Sequence, residues 1–78
     1  MENEGELIQQ LKDNVAAQIR AARAFGNKTQ EEVANVAGVS RQRLSLIEQG
    51  KANPQIATLG KIMAALGFRI HYGFTDKG

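Results

Sequence analysis

A mainly α-helical fold is the class this chain predicts: a bundle of about four helices followed by one short C-terminal β-strand. Three observations carry that expectation. Apolar residues recur at spacings of three and four through most of the chain, the period of one helical face. Glycine closes each such stretch, and Ser or Thr opens two of them. After Gly67 the period drops to two, as in a half-buried strand. The chain has 78 residues, 42% apolar and 23% charged, which suits one small domain with its own core.

The first helix is predicted from Leu11, Val15, Ile19 and Ala22, with Leu7 or Ile8 extending the stripe backward. Glu2, Glu4 and Glu6 complement the positive end of its dipole. Gly26-Asn27 tolerates positive φ and should stop it near Phe25. Thr29-Gln30-Glu31-Glu32 reads as a capping box opening a second helix, with Val33, Ala34 and Ala37 inward and Gly38 at its end. Ser40 offers the next N-cap, Leu44 and Ile47 the buried side of a third helix, and Gln49-Gly50 its close. Asn53 is then expected to cap a fourth helix with Pro54 in its first position, carrying Ile56, Leu59, Ile62, Met63 and Leu66. Gly60 inside that helix costs about 1 kcal/mol of propensity. Finally Phe68, Ile70, Tyr72 and Phe74 alternate with Arg69, His71, Gly73 and Thr75 as a strand.

Composition excludes several function classes. No cysteine is present, which removes disulfide frameworks, thiolate catalysis and cysteine-based metal sites, and suits a reducing compartment. No apolar run approaches the roughly 20 residues that span a bilayer. The glutamates near the N-terminus stand where a signal peptide would be basic and apolar, so a soluble cytoplasmic protein is expected. Paired carboxylates, a nucleophile–base pair and a phosphate-cradling glycine loop are all missing, so neither an enzyme nor a cofactor is expected. His71 has no second ligand at useful spacing and reads as a strand residue, not part of a metal site.

Charge is more informative in its distribution than in its total of +2. Glu2, Glu4, Glu6 and Asp13 against Lys12 give the first 13 residues a net of −3. Arg20, Arg23, Lys28, Arg41, Arg43, Lys51 and Lys61 against Glu31, Glu32 and Glu48 give residues 20–61 a net of +4. A basic centre beside an acidic flank suggests a polyanion for the middle of the chain, though ordinary surface charge gives the same arithmetic.

Residues 29–49 combine two short helices, a tight turn at Gly38 and an apolar wedge of Val33, Ala37, Val39, Leu44 and Ile47. That is a helix-turn-helix pattern. The helix after Ser40 also begins Arg41-Gln42-Arg43, although helix N-termini favour acids. An adjacent nucleic acid would turn that electrostatic cost into a gain, because arginine suits guanine or phosphate and glutamine suits adenine.

Over Ile19–Leu66 the chain resembles the XRE-type helix-turn-helix domain, the fold of the Cro and lambda-type repressors. The resemblance runs through Arg23, Thr29-Gln30-Glu31-Glu32-Val33-Ala34, Gly38-Val39-Ser40, Leu44-Ser45-Leu46-Ile47-Glu48, Gly50-Lys51, Asn53-Pro54 and Leu66-Gly67. It implies a sequence-specific regulator, a repressor that binds a pseudo-palindromic operator in double-stranded DNA as a homodimer. By the same resemblance Arg41, Gln42, Ser45 and Leu46 are base-contact candidates, with Leu46 either on a thymine methyl or covering a neighbouring loop. Gln30, Ser40, Arg43 and Lys51 are phosphate-contact candidates. Arg23 and Glu48 should pair and lock the recognition helix. Gly60 departs from the family pattern, which has a larger apolar residue there.

A lone strand cannot satisfy its own ladder. Antiparallel pairing with the same strand of a second copy makes Phe68, Ile70, Tyr72 and Phe74 a dimer interface; folding back on the helices, or adding to another protein's sheet, are the alternatives. Residues 1–67 then form the helical domain and 68–78 the dimerisation strand and tail. Four helices, a short strand and little more are similar to the HipB-like antitoxins. That likeness adds a kinase-like toxin as a possible partner.

Overall fold

The computed structural model describes residues 3–68. Among them are four helices and no strand: α1 (Glu4–Phe25), α2 (Gln30–Ala37), α3 (Arg41–Glu48) and α4 (Ile56–Ala65). Phe68 is described, and the rest of the strand expected over 68–74 lies outside the described residues.

Local chemistry sets the helix starts. Thr29 accepts from the Glu32 N–H at 3.0 Å while the Glu32 carboxylate accepts from the Thr29 N–H at 2.8 Å, the reciprocal bonds of a capping box. The Glu32 carboxyl titrates below its ordinary range, chiefly because of that backbone bond. Ser40 accepts from the Arg43 N–H at 3.0 Å. A second capping box, unanticipated from the sequence, opens α1: Asn3 accepts from the Glu6 N–H and Glu6 from the Asn3 N–H.

The helix ends share one device. Asn27, Gly38, Gly50 and Gly67 take positive φ just past the four helices. Each time the following N–H reaches back to a carbonyl in the last turn, as from Lys28 to Arg23 and from Lys51 to Leu46. This is the Schellman arrangement, which occupies carbonyls a helix end would otherwise leave bare.

Ile19, Val33, Ala34, Ala37, Leu44, Ile47 and Ile62 form the buried core, with Val15, Val39, Leu59, Met63 and Leu66 packed around it. Helix α2 lies between α3 and α4, and α1 packs on α3. The small Ala34 and Ala37 give α2 a low face, which is what a close helix pair requires.

Two features of the helices stand out, the second a correction to the expected start of α4. The apolar stripe of α1 is buried only in its C-terminal half, since Leu11 is 64% exposed and Leu7 and Ile8 are exposed too. At 22 residues α1 spans about 33 Å. Helix α3, on which it packs, has only 8 residues, so α1 outruns it. Helix α4 also starts later than expected, with Gln55 as N-cap and no side-chain capping bond. Pro54 instead lines an apolar cleft with Ile8, Leu11, Val15 and Leu59. Its ring finds apolar neighbours there, and Ile56, the first residue of α4, is left in solvent.

Candidate nucleic-acid interface

Helix α3 has two unlike faces. Leu44, Ile47 and Glu48 are buried, while Arg41, Gln42 and Arg43 are exposed and Leu46 is 44% exposed. Arg41, Gln42, Ser45 and Leu46 line one shallow recess, as expected of positions i, i+1, i+4 and i+5. The structure therefore brings the four base-contact candidates together on the outer side of one short helix.

No acid stands in the first turn of α3. Among the described residues the sole ion pair is Arg23–Glu48, so Arg41 and Arg43 face the positive end of the helix dipole without a carboxylate in ion-pair contact. The Ser40 hydroxyl, though it accepts the capping bond, keeps its own proton to donate. Ser45 accepts from Gln49 Nε2 at 3.0 Å, which adds Gln49 to the outer face one turn on. That glutamine was missed in the sequence, although its i+4 relation to Ser45 is visible there.

A second, polar recess joins the α1–α2 turn to the start of α3, lined by Arg23, Lys28, Thr29, Gln30, Glu31 and Arg41 among others. Lys28 brings a cation here that the motif reading passed over. Gln30 is half-buried and its amide donates to Glu48 Oε1 at 3.2 Å, leaving the amide oxygen and one N–H for another partner. Lys51 is exposed in the turn behind α3, where its N–H is held by Leu46 O.

Glu48 anchors α3 from within. It is 3% exposed, the single buried charged residue among those described. Arg23 meets its carboxylate with two bonds, Nε to Oε2 at 2.9 Å and Nη2 to Oε1 at 2.8 Å. That fork is the strongest form of such a pair. The same guanidinium donates to Lys28 O at 3.0 Å and is held above its ordinary pKa, first by the bond to Glu48. One arginine thus ties α1 to both the recognition helix and the turn before α2.

An exposed helix face of Arg, Gln, Ser and Leu, carried by a two-helix unit with a glycine turn and anchored by a buried ion pair, defines a helix-turn-helix protein. The helix-turn-helix family model matches residues 19–72, and the chain belongs to that family as an XRE-type, DNA-binding transcription regulator. It is 44% identical over 48 residues to an uncharacterized HTH-type transcriptional regulator of Methanocaldococcus jannaschii, a match covering 62% of this chain and 73% of that one. A second relative, an uncharacterized HTH-type transcriptional regulator of Sinorhizobium fredii, is 49% identical over 39 residues. That match covers 50% of this chain and 51% of the relative, about half the length of each. No solved structure matches the chain. No helix among the described residues is long and apolar enough to cross a membrane.

Proposed function

We propose that this protein is a sequence-specific repressor that binds a pseudo-palindromic operator as a homodimer, with α3 in the major groove. One observation carries the reading: Arg41, Gln42, Ser45 and Leu46 share the exposed face of a helix whose opposite face is buried and pinned through Glu48. Side chains that read bases must project from a rigid element, because sequence is told by hydrogen bonds to base edges with little tolerance for misplacement. Arg41 and Gln42 supply the two planar groups suited to guanine and adenine. Ser45 and Leu46 are the candidates for a polar edge and a thymine methyl. Gln30, Ser40, Arg43 and Lys51 are the phosphate contacts that set register.

Dimerisation through Phe68, Ile70, Tyr72 and Phe74 would space two such helices about 34 Å apart, one turn of the duplex. Phe68 already lies 45% exposed beside the apolar recess of Ala21, Ala22, Phe25 and Leu66, a surface continuous with the start of that segment. The four-helix layout is also that of the antitoxin reading, in which a kinase-like toxin binds the same protein. Co-purification with the product of an adjacent gene separates the two.

Selection of duplexes from a random-sequence library, followed by a salt titration on the enriched duplex, tests the proposal. A palindromic consensus is expected, with affinity that falls steeply as salt rises, by about 0.9 in the log–log slope per phosphate neutralised. Failure to enrich any sequence, or affinity indifferent to salt, contradicts it.

A further inference from the structure

The family match begins at Ile19, yet α1 starts at Glu4, about four turns earlier. Gln9, Asp13, Ala16, Arg20 and Arg23 are spaced four, three, four and three residues apart, so they form one stripe along α1. Each polar member of the stripe meets the end of α3 or the turn behind it. Arg23 holds the Glu48 carboxylate, as described above. Arg20 donates from Nη1 to the backbone oxygen of the same residue. Gln9 Nε2 donates to the Gly50 oxygen at 3.2 Å and to Asp13 Oδ1 at 2.9 Å. Asp13 Oδ1 in turn stands 2.6 Å from where a Cβ on Gly50 would be, so the turn lies hard against α1. Ala16, 2% exposed at the centre of the stripe, keeps the approach close.

We propose that Arg20 and Gln9 are positioning residues of the DNA interface. They hold the carbonyls of Glu48 and Gly50, and so set the tilt of the recognition helix and the place of Lys51 against the duplex. The inference rests on the reading of α3 as the element that reads bases. Its physical basis is the number of fixed points. The last carbonyls of a helix have no partner within it, and a cation there is favoured by the dipole. Arg23 and Gln30 hold one side chain of α3, the Glu48 carboxylate, and leave the backbone at its C-terminal end unheld from α1. Two further bonds, from side chains rooted about 16 Å apart on one stiff rod, converge on that backbone and hold it directly. Gly50 directly precedes Lys51, so the Gln9 bond acts on the backbone that carries that cation.

The test uses Gln9→Leu, Arg20→Met and Arg20→Lys in the full chain, with two probes. One is the duplex that the unaltered protein enriches from a random library, and the other is a scrambled duplex of the same composition. Melting temperature and salt dependence are measured in parallel. Gln9→Leu and Arg20→Met should each reduce the ratio of selected to scrambled affinity by about tenfold, the scale of one charge-assisted hydrogen bond for the arginine. Scrambled-duplex affinity and salt slope should not change, and Arg20→Lys should recover most of the ratio. A lower melting temperature with an unchanged ratio makes the residues merely structural and overturns the proposal. So does a salt slope reduced by about one in Arg20→Met, the signature of a phosphate contact. If the unaltered protein enriches no sequence, both this inference and the base-reading function fall. Enrichment with unaffected variants removes this inference alone.

Discussion

Glu48 carries its charge into the core, and the groups around it decide whether α3 holds its place. Three donors on its carboxylate, two from Arg23 and one from Gln30, replace the water it has lost. Removing Arg23 leaves a buried carboxylate with one neutral partner, which costs about 3–5 kcal/mol. That is a large part of the roughly 5–15 kcal/mol that holds a domain folded. Arg23→Met is therefore expected to shift the urea midpoint severely, and pairing it with Glu48→Leu to restore much of the loss, because the unpaired charge goes as well. A double variant as unstable as the single one would show that the cost lies in packing, not charge. The pair itself was legible in the sequence, from the family resemblance. The bonds from Arg20 and Gln9 were not, since they reach backbone carbonyls 28 and 41 residues away and leave no local pattern.

The helices were legible wherever capping chemistry is local. Thr29 with Glu32, Ser40, and the glycines at 38, 50 and 67 each act within a few residues, and the structure uses all of them. The start of α4 was misread because Asn53-Pro54 carries a start signal that packing in the Ile8–Leu59 cleft overrides. The exposed start of the α1 stripe shows that periodicity reports a face and not whether anything stands opposite it. Glycine substitutions give a graded check by thermal or urea unfolding. Gly38→Ala should cost about 1 kcal/mol, since its φ is +74° but the space is open. Gly50→Ala should cost more, because a Cβ there also collides with Asp13. Gly60→Ala should instead stabilise by up to about 1 kcal/mol, as its Cβ meets nothing and the helix gains propensity. Equal effects at 38 and 50, or a loss at 60, would contradict these assignments. The capping box of α2 adds a pH dependence. Glu32 titrates lower in the folded chain, so its contribution is complete above the ordinary glutamate range and is lost as pH falls through its depressed value. Glu32→Gln should accordingly be less stable than the unaltered protein at neutral pH, with the gap closing in acid. A gap that persists in acid would mean the charge plays no part.

For the whole molecule, charge and shape point the same way. Glu4, Glu6 and Asp13 gather in the first half of α1, while Arg41, Arg43, Lys28 and Lys51 lie on α3 and the turns beside it. The mainly apolar surface around Phe25, 95% exposed, and Phe68 is bordered by Lys28 and lies where the chain leaves α4. If residues 68–78 pair two copies, light scattering should give twice the monomer mass for the full chain and the monomer mass for one ending at Gly67. The shortened chain should keep its helicity while losing most of its operator affinity, because two linked half-sites bind far more tightly than one. A full-length monomer would contradict the proposed strand pairing.

The central claim is that the outer face of α3 reads bases while its neighbours grip phosphates. Binding of Gln42→Ala and Lys51→Ala to a set of single-base variants of the selected duplex, across a range of salt, separates those roles in one measurement. Gln42→Ala should relax preference at one position per half-site by about 1–3 kcal/mol and leave the salt slope alone. Lys51→Ala should weaken every duplex alike and lower the slope by about one. Uniform weakening by Gln42→Ala, with the base preference intact at every position, would contradict the account.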